Sequence, residues 1–137
     1  MTDLKGDIRW KQRFQNFEKA INVMRRTVGH VDPSEIERLA IIQVFEMSFE
    51  LAWKLMKDYL ESQAYSPKSP RETIKYAFQA DLIKDAQLWL DALLDRNQTV
   101  HTYDEAFSIE MVDKIQNKYS FLVYDFYELM SQFNKKS

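Results

Sequence analysis

The stretch DPSEIERLAIIQVFEMSFELAWKLMKDYLES, residues 32–62, decides the fold. Read at 3.6 residues per turn, Gln43, Glu46, Glu50, Lys54, Lys57 and Glu61 fall on one narrow polar strip. Nearly everything else is apolar: Ile41, Ile42, Val44, Phe45, Phe49, Leu51, Ala52, Trp53, Leu55, Met56 and Leu60. An apolar arc that wide cannot be buried against one neighbour, so the segment reads as a central helix with several others around it. Asp32 reads as its cap, Pro33 as its first helical position and Glu35 as the acid of a capping box.

Upstream, a helix is expected from about Ile8 to Val28, where Trp10, Phe14, Phe17, Ile21, Met24 and Val28 recur in steps of three and four. Gly29 is expected to end it in the left-handed conformation. Downstream, Tyr65 to Pro70 reads as a loop, and Ser69, Pro70 and Glu72 repeat the cap, proline and capping-box pattern before a short helix to about Ala80. A fourth helix, Asp85 to Arg96, offers Leu88, Trp89, Ala92 and Leu93 for burial. A fifth opens with Thr102 and Glu105 as a capping box and continues to about Phe133, with Phe107, Met111, Ile115, Leu122, Phe126 and Leu129 on one face. The chain therefore reads as all-α, one domain over residues 1–137: an up-and-down antiparallel four-helix bundle with one additional short helix. Two glycines and three prolines in 137 residues are too few turn residues for an all-β fold.

Composition narrows the function. Apolar residues make up 45% and charged residues 29% of the chain, a globular balance. With no cysteine, thiol catalysis, disulfides, zinc fingers and iron–sulfur clusters are excluded. The first residues lack the apolar run of a signal peptide, and no stretch has the length of a membrane span, so the expected location is the cytoplasm, with no membrane partner. A net charge of −2 argues against a generic DNA-coating protein. The charge is uneven: Lys5, Arg9, Lys11, Arg13, Lys19, Arg25 and Arg26 crowd the first helix, while residues 85–113 are acidic. That is either two solvated faces of opposite sign or a basic helix able to follow phosphates or an acidic partner.

Several candidate sites fall away on inspection. Glu46 and Glu50 lie one turn apart, but di-iron bundles need Glu-x-x-His pairs that this chain lacks, and Glu50 is placed for a surface ion pair with Lys54. No metal site or cofactor is expected. His30 reads as polar surface in a turn, and the aromatic run from Tyr119 to Phe133 as core or subunit interface. There is no phosphate-binding glycine loop, no G-x-S-x-G and no H-E-x-x-H.

The loop Arg96-Asn97-Gln98-Thr99-Val100-His101 is different. It brings a guanidinium, a planar fork for phosphate oxygens, toward an imidazole that can move a proton near neutrality. RNA carries its own nucleophile in the 2′-hydroxyl, so its cleavage needs a base, an acid and a stabiliser of the phosphorane. One histidine serves poorly as both base and acid; two loops facing each other across a two-fold dimer supply both. The plainer reading is a loop whose Arg and His cap helix ends.

At these residues the sequence resembles the HEPN superfamily, whose hallmark is an Arg and a His separated by four to six residues, here with the polar Asn97 directly after Arg96. It looks most like the branch of nucleotidyltransferase substrate-binding proteins. The resemblance extends over Phe49-Glu50-Leu51-Ala52-Trp53-Lys54, Ser69-Pro70-Arg71-Glu72, and Arg96-Asn97 through His101-Thr102-Tyr103-Asp104-Glu105. It implies a helical bundle, a homodimer and a minimal nucleotidyltransferase as cognate partner. One view of the family is a substrate-binding subunit of a two-part nucleotidyltransferase. The other is a toxin of a toxin–antitoxin pair: a metal-independent RNase acting on RNA as its substrate through Arg96 and His101, with Asn97 in support. In that view Tyr103 matches the tyrosine whose hydroxyl accepts AMP from the partner enzyme. The toxin view is the primary expectation; the non-catalytic subunit is its alternative.

Overall fold

Six α-helical segments and one 3-10 turn, with no strand, make up residues 4–136, the part of the chain that the computed structural model describes. The segments are α1 (Leu4–Thr27), α2 (Glu35–Ser62), α3 (Pro70–Gln79), α4 (Ala86–Arg96), α5 (Glu105–Lys114) and α6 (Ser120–Lys136). The 3-10 turn, Thr99–His101, lies between α4 and α5, and a π turn, Ile115–Tyr119, joins α5 to α6 into one rod. This is the expected all-α bundle: α1, α2, α4 and the α5–α6 rod as its main members, with α3 as the short extra helix.

As the wide apolar arc requires, α2 is central. It packs along α1 and also touches α3, α5 and α6. Its Ile41, Ile42, Phe45, Phe49, Ala52, Leu55, Met56 and Leu60 are fully or almost fully buried. The α1 stripe from Trp10 to Val28 is buried as expected. The aromatic run of the rod joins the same core: Phe126 packs on Phe17, Tyr127 stacks on Phe14, and Phe133 stacks on Tyr59. α4 hangs from Trp89, whose indole lies 5.5 Å from the Phe49 ring and 6.0 Å edge-on from Phe126. Phe49 is on α2 and Phe126 on α6, so one side chain fixes α4 against two neighbours.

Four local expectations are corrected. Gly29 does not adopt a positive φ; among the described residues that conformation belongs to Asp32, Ala64 and Asp81. The end of α1 is closed instead by side chains, with His30 Nδ1 2.8 Å from the Thr27 carbonyl and the Gln116 amide donating to the carbonyls of Val28 and His30. The cap of α2 is Ser34, not Asp32: Ser34 Oγ accepts from the Glu37 N–H and the Glu37 carboxylate returns to the Ser34 N–H, a complete capping box. Likewise α5 is capped by Asp104, not Thr102. The Thr102 hydroxyl is consumed by the Thr99 carbonyl within the 3-10 turn. Finally, Ser69 caps α3 with Pro70 at its start, but Glu72 reaches back to the Lys68 N–H rather than to that of Ser69.

The fifth helix also departs from a continuous α-helix. The π turn adds a residue to one revolution, which shifts the phase of the buried stripe. Beyond Ile115 the buried residues are Tyr119, Val123, Phe126 and Met130, while Leu122 and Leu129 are half-buried.

Three arginines of the basic first helix are paired with carboxylates of the same chain. Arg13 donates to the buried Asp58 at 2.9 Å, Arg9 faces Glu61, and Arg25 pairs with Glu128 while lying over Tyr124 and Tyr127. Such pairing leaves fewer cations for a phosphate backbone. No helix among the described residues is long and apolar enough to cross a membrane.

Candidate functional site

Arg96 is the last residue of α4, so its position follows from whatever holds that helix. Trp89 anchors the helix one face away, and Asp95 adds a polar clamp, accepting from Lys114 Nζ at 3.2 Å and from the Tyr119 hydroxyl. Lys114 and Tyr119 are five residues apart, which in an α-helix would put them about 140° apart around the axis. Across the π turn that angle closes, and both side chains reach one carboxylate. Burial, then the Asp95 hydrogen bond and charge, push the Tyr119 phenol far above its ordinary value. It stays a neutral donor to Asp95.

From this fixed end the Arg96 guanidinium turns to α2. Its Nη2 donates to Glu50 Oε2 at 2.6 Å, with both side chains about a third exposed, while Nε is buried without a partner. Glu50 also accepts from the Trp53 indole at 3.0 Å and from Lys54 at 3.3 Å. Burial pushes its carboxyl upward, but the Trp53 hydrogen bond, the Arg96 charge and Lys54 outweigh that and hold it below the ordinary glutamate value. The expected Glu50–Lys54 surface pair is therefore present, but Glu50 does more: it is the partner of Arg96. Among the described residues no group of three or more metal-ligating side chains gathers, at Glu46 and Glu50 or elsewhere.

Beyond Arg96 the backbone is a chain of tight turns. The Thr99 hydroxyl donates to the Arg96 carbonyl at 2.8 Å, His101 N–H to Gln98, and Asp104 N–H to the His101 carbonyl. Thr99 is buried, whereas Val100 and Tyr103 stand in solvent at 71% and 84% exposure. His101 is exposed too, its ring edge-on to Tyr103 at 6.2 Å and to Phe107 at 6.3 Å. Asn97, also exposed, ends α4 with its N–H on the Leu93 carbonyl.

The four residues singled out from sequence thus divide. Arg96 and Asn97 line a cleft of about 270 Å³ together with Glu50, Trp53, Ser69, Pro70, Arg71 and Leu93. His101 and Tyr103 pair with each other on the far side of the 3-10 turn. No hydrogen bond or ion pair joins Arg96 to His101 among the described residues. Sequence reasoning set Glu50 aside as a solvated strip and missed Trp53 as its donor. The signal that pointed to both was the segment Phe49 to Lys54 within the family resemblance.

That resemblance bears directly on the cleft, since Glu50 and Trp53, Ser69 to Arg71, and Arg96 with Asn97 come from its three separate sequence segments and meet there. Two comparisons extend it. The family model described as "Nucleotidyltransferase substrate binding protein like" matches residues 12–132. A crystal structure of a protein from Thermus thermophilus is 34% identical, covers 85% of this chain and 93% of its own, and superposes with a TM-score of 0.70. No curated protein matches the chain. The chain belongs to the nucleotidyltransferase substrate-binding protein-like family.

Proposed function

We propose that this chain is the non-catalytic, substrate-binding subunit of a two-component nucleotidyltransferase, the reading that stood second in the sequence. Family membership supports it, and the observation that carries it is the division of the Arg96–Tyr103 segment. Arg96 is engaged by Glu50 at 2.6 Å, and His101 faces solvent beside Tyr103. A binding subunit needs that arrangement: a fixed, charged cleft to hold a ligand and an exposed edge to meet the enzyme. Among the described residues no side-chain hydrogen bond or ion pair links the His101 imidazole to Arg96; its contacts there are the Tyr103 and Phe107 rings.

A second reading is favoured by one observation. Tyr103 is 84% exposed, so its hydroxyl is open to a nucleotidyl donor, and the Arg96, His101 and Tyr103 set is intact. In this reading the chain is a toxin-type, metal-independent RNase whose site is completed across a homodimer and silenced by AMP on Tyr103.

One experiment separates the two. The purified chain is incubated with RNA in the presence of a chelator, and separately mixed with a minimal nucleotidyltransferase from the same organism. The binding subunit forms a complex with the enzyme and leaves RNA intact at every concentration. RNA cleavage that disappears in His101→Ala replaces the first reading with the second, and intact RNA together with absence of any complex removes both.

A further inference from the structure

The cleft between α2, α3 and the end of α4 combines two guanidinium groups with an indole ring. Arg71 lines it and makes no hydrogen bond or ion pair among the described residues. Arg96 lines it with only Nη2 engaged. Lys54 pairs with Glu50 of the lining, so Arg71, Arg96 and Lys54 stand against one lining carboxylate, in a chain whose net charge is −2. Glu50 is itself matched by Arg96 and Lys54, and the Glu72 carboxylate is spent on the Lys68 N–H. The positive charge left over is that of Arg71 and the outer edge of Arg96. Two guanidinia with open edges are the donors that phosphate oxygens take best.

The second feature is apolar. Trp53 is half-buried, with its indole N–H tied to Glu50 at 3.0 Å, which fixes the plane of the ring in the cleft beside Pro70. A fixed indole beside a cationic pair matches the two halves of a nucleotide, a planar base and a phosphate. At about 270 Å³ the cleft lies just below the usual range of ligand sites, which starts at about 300 Å³. It suits a mononucleotide better than a folded strand. His101 and Tyr103 do not line it, so this site is separate from the exposed edge of the loop.

We infer that this cleft binds a nucleoside monophosphate, with the phosphate between Arg71 and Arg96 and the base on the Trp53 indole. The inference rests on the binding-subunit reading for its purpose, and it names the ligand class and the residues that hold it. Arg71 is the specificity residue with the least structural burden, being exposed and unpartnered, so its replacement leaves the fold intact.

The test titrates AMP and ribose 5-phosphate into the full chain by calorimetry. AMP is expected to bind about tenfold tighter than ribose 5-phosphate, from stacking on Trp53. Arg71→Ala is expected to weaken AMP by about tenfold or more, with Arg71→Lys recovering part of the loss. Circular dichroism and the melting temperature of Arg71→Ala should match the wild type. No AMP binding at millimolar concentration, or equal binding by Arg71→Ala, overturns the site; equal affinity for the two probes overturns the stacking of the base. A chain that joins its nucleotidyltransferase but ignores AMP defeats this inference and leaves the subunit reading standing. One that binds AMP through Arg71 but meets no enzyme defeats the subunit reading alone.

Discussion

Arg96 and Tyr103 are seven residues apart, and the fold treats them in opposite ways. Arg96 ends a helix pinned by Trp89 and Asp95, and its guanidinium is held against Glu50 on another helix. Tyr103 hangs in solvent, 84% exposed, with a ring contact to His101 and no hydrogen bond from its hydroxyl among the described residues. The first end is built by contacts far apart in sequence; the second is built by turns that close on themselves. The difference teaches that a short motif can join a rigid half, suited to holding a ligand, to an open half, suited to meeting a partner.

The largest effect should come from breaking the rigid half at its root. Trp89 is 1% exposed and touches Phe49 and Phe126, so Trp89→Ala leaves a cavity where α4 meets two neighbours. We expect a loss of about 3–5 kcal/mol in urea unfolding. Arg96 should lose its fixed place with it, and AMP binding should fall even in molecules that remain folded. A loss under about 1 kcal/mol would mean that α4 is held by something other than Trp89.

A smaller effect tests the contact itself. Glu50→Gln keeps the shape but removes the charge facing Arg96 and Lys54, and should cost about 1 kcal/mol, because the pair is about a third exposed and water screens it. The pH dependence has a definite sign. Glu50 sits below the ordinary glutamate value in the folded chain, so the stability it adds is complete above that range. It is lost as pH falls through the lowered value. Wild type and Glu50→Gln should therefore differ at neutral pH and converge in acid, as measured by unfolding at a series of pH values. A constant difference would show that shape, not charge, is what the substitution changed.

How much of this was legible in the sequence follows from the same contrast. The apolar arc of residues 41–60 and the stripe from Trp10 to Val28 depend on helical period alone, and both gave the right burial. The cap of α2 did not follow, because the pattern of a capping residue three before an acid occurs twice in overlap: Asp32 with Glu35, and Ser34 with Glu37. Which one forms depends on how the turn from α1 closes, with Asp32 at φ 47°. The π turn left a trace in Met111, Ile115, Tyr119 and Val123, three successive steps of four, wider than the 3.6 of an α-helix. What completes that turn is Asp95, 24 residues away from Tyr119, and spacing cannot reveal it. Glu50 and Arg96 are 46 residues apart, so their ion pair was equally out of reach. The loop was legible as chemistry, and its division into two halves was legible only in three dimensions.

The smallest effect on the fold should come from the open half, and it carries the sharpest functional readout. Tyr103→Phe removes one oxygen that bonds to nothing in the fold, so stability should stay within about 0.5 kcal/mol of wild type. The phenol is nonetheless exposed beside the His101 imidazole, with ring centroids 6.2 Å apart. For that oxygen to attack the α-phosphorus of ATP it must give up its proton as pyrophosphate leaves, and an imidazole nearby is a fitting acceptor. With the nucleotidyltransferase and ATP labelled at the α-phosphate, the RNase reading, in which AMP on Tyr103 silences the chain, has the wild type take up label and Tyr103→Phe not; the binding-subunit reading requires no label on either. His101→Ala should take it up more slowly, with the fold unchanged in both variants. Label retained in full by Tyr103→Phe would place the acceptor elsewhere. Absence of label from the wild type would reduce the open half to a docking edge, and would leave Arg96 and its cleft as the chemically pointed end of the segment.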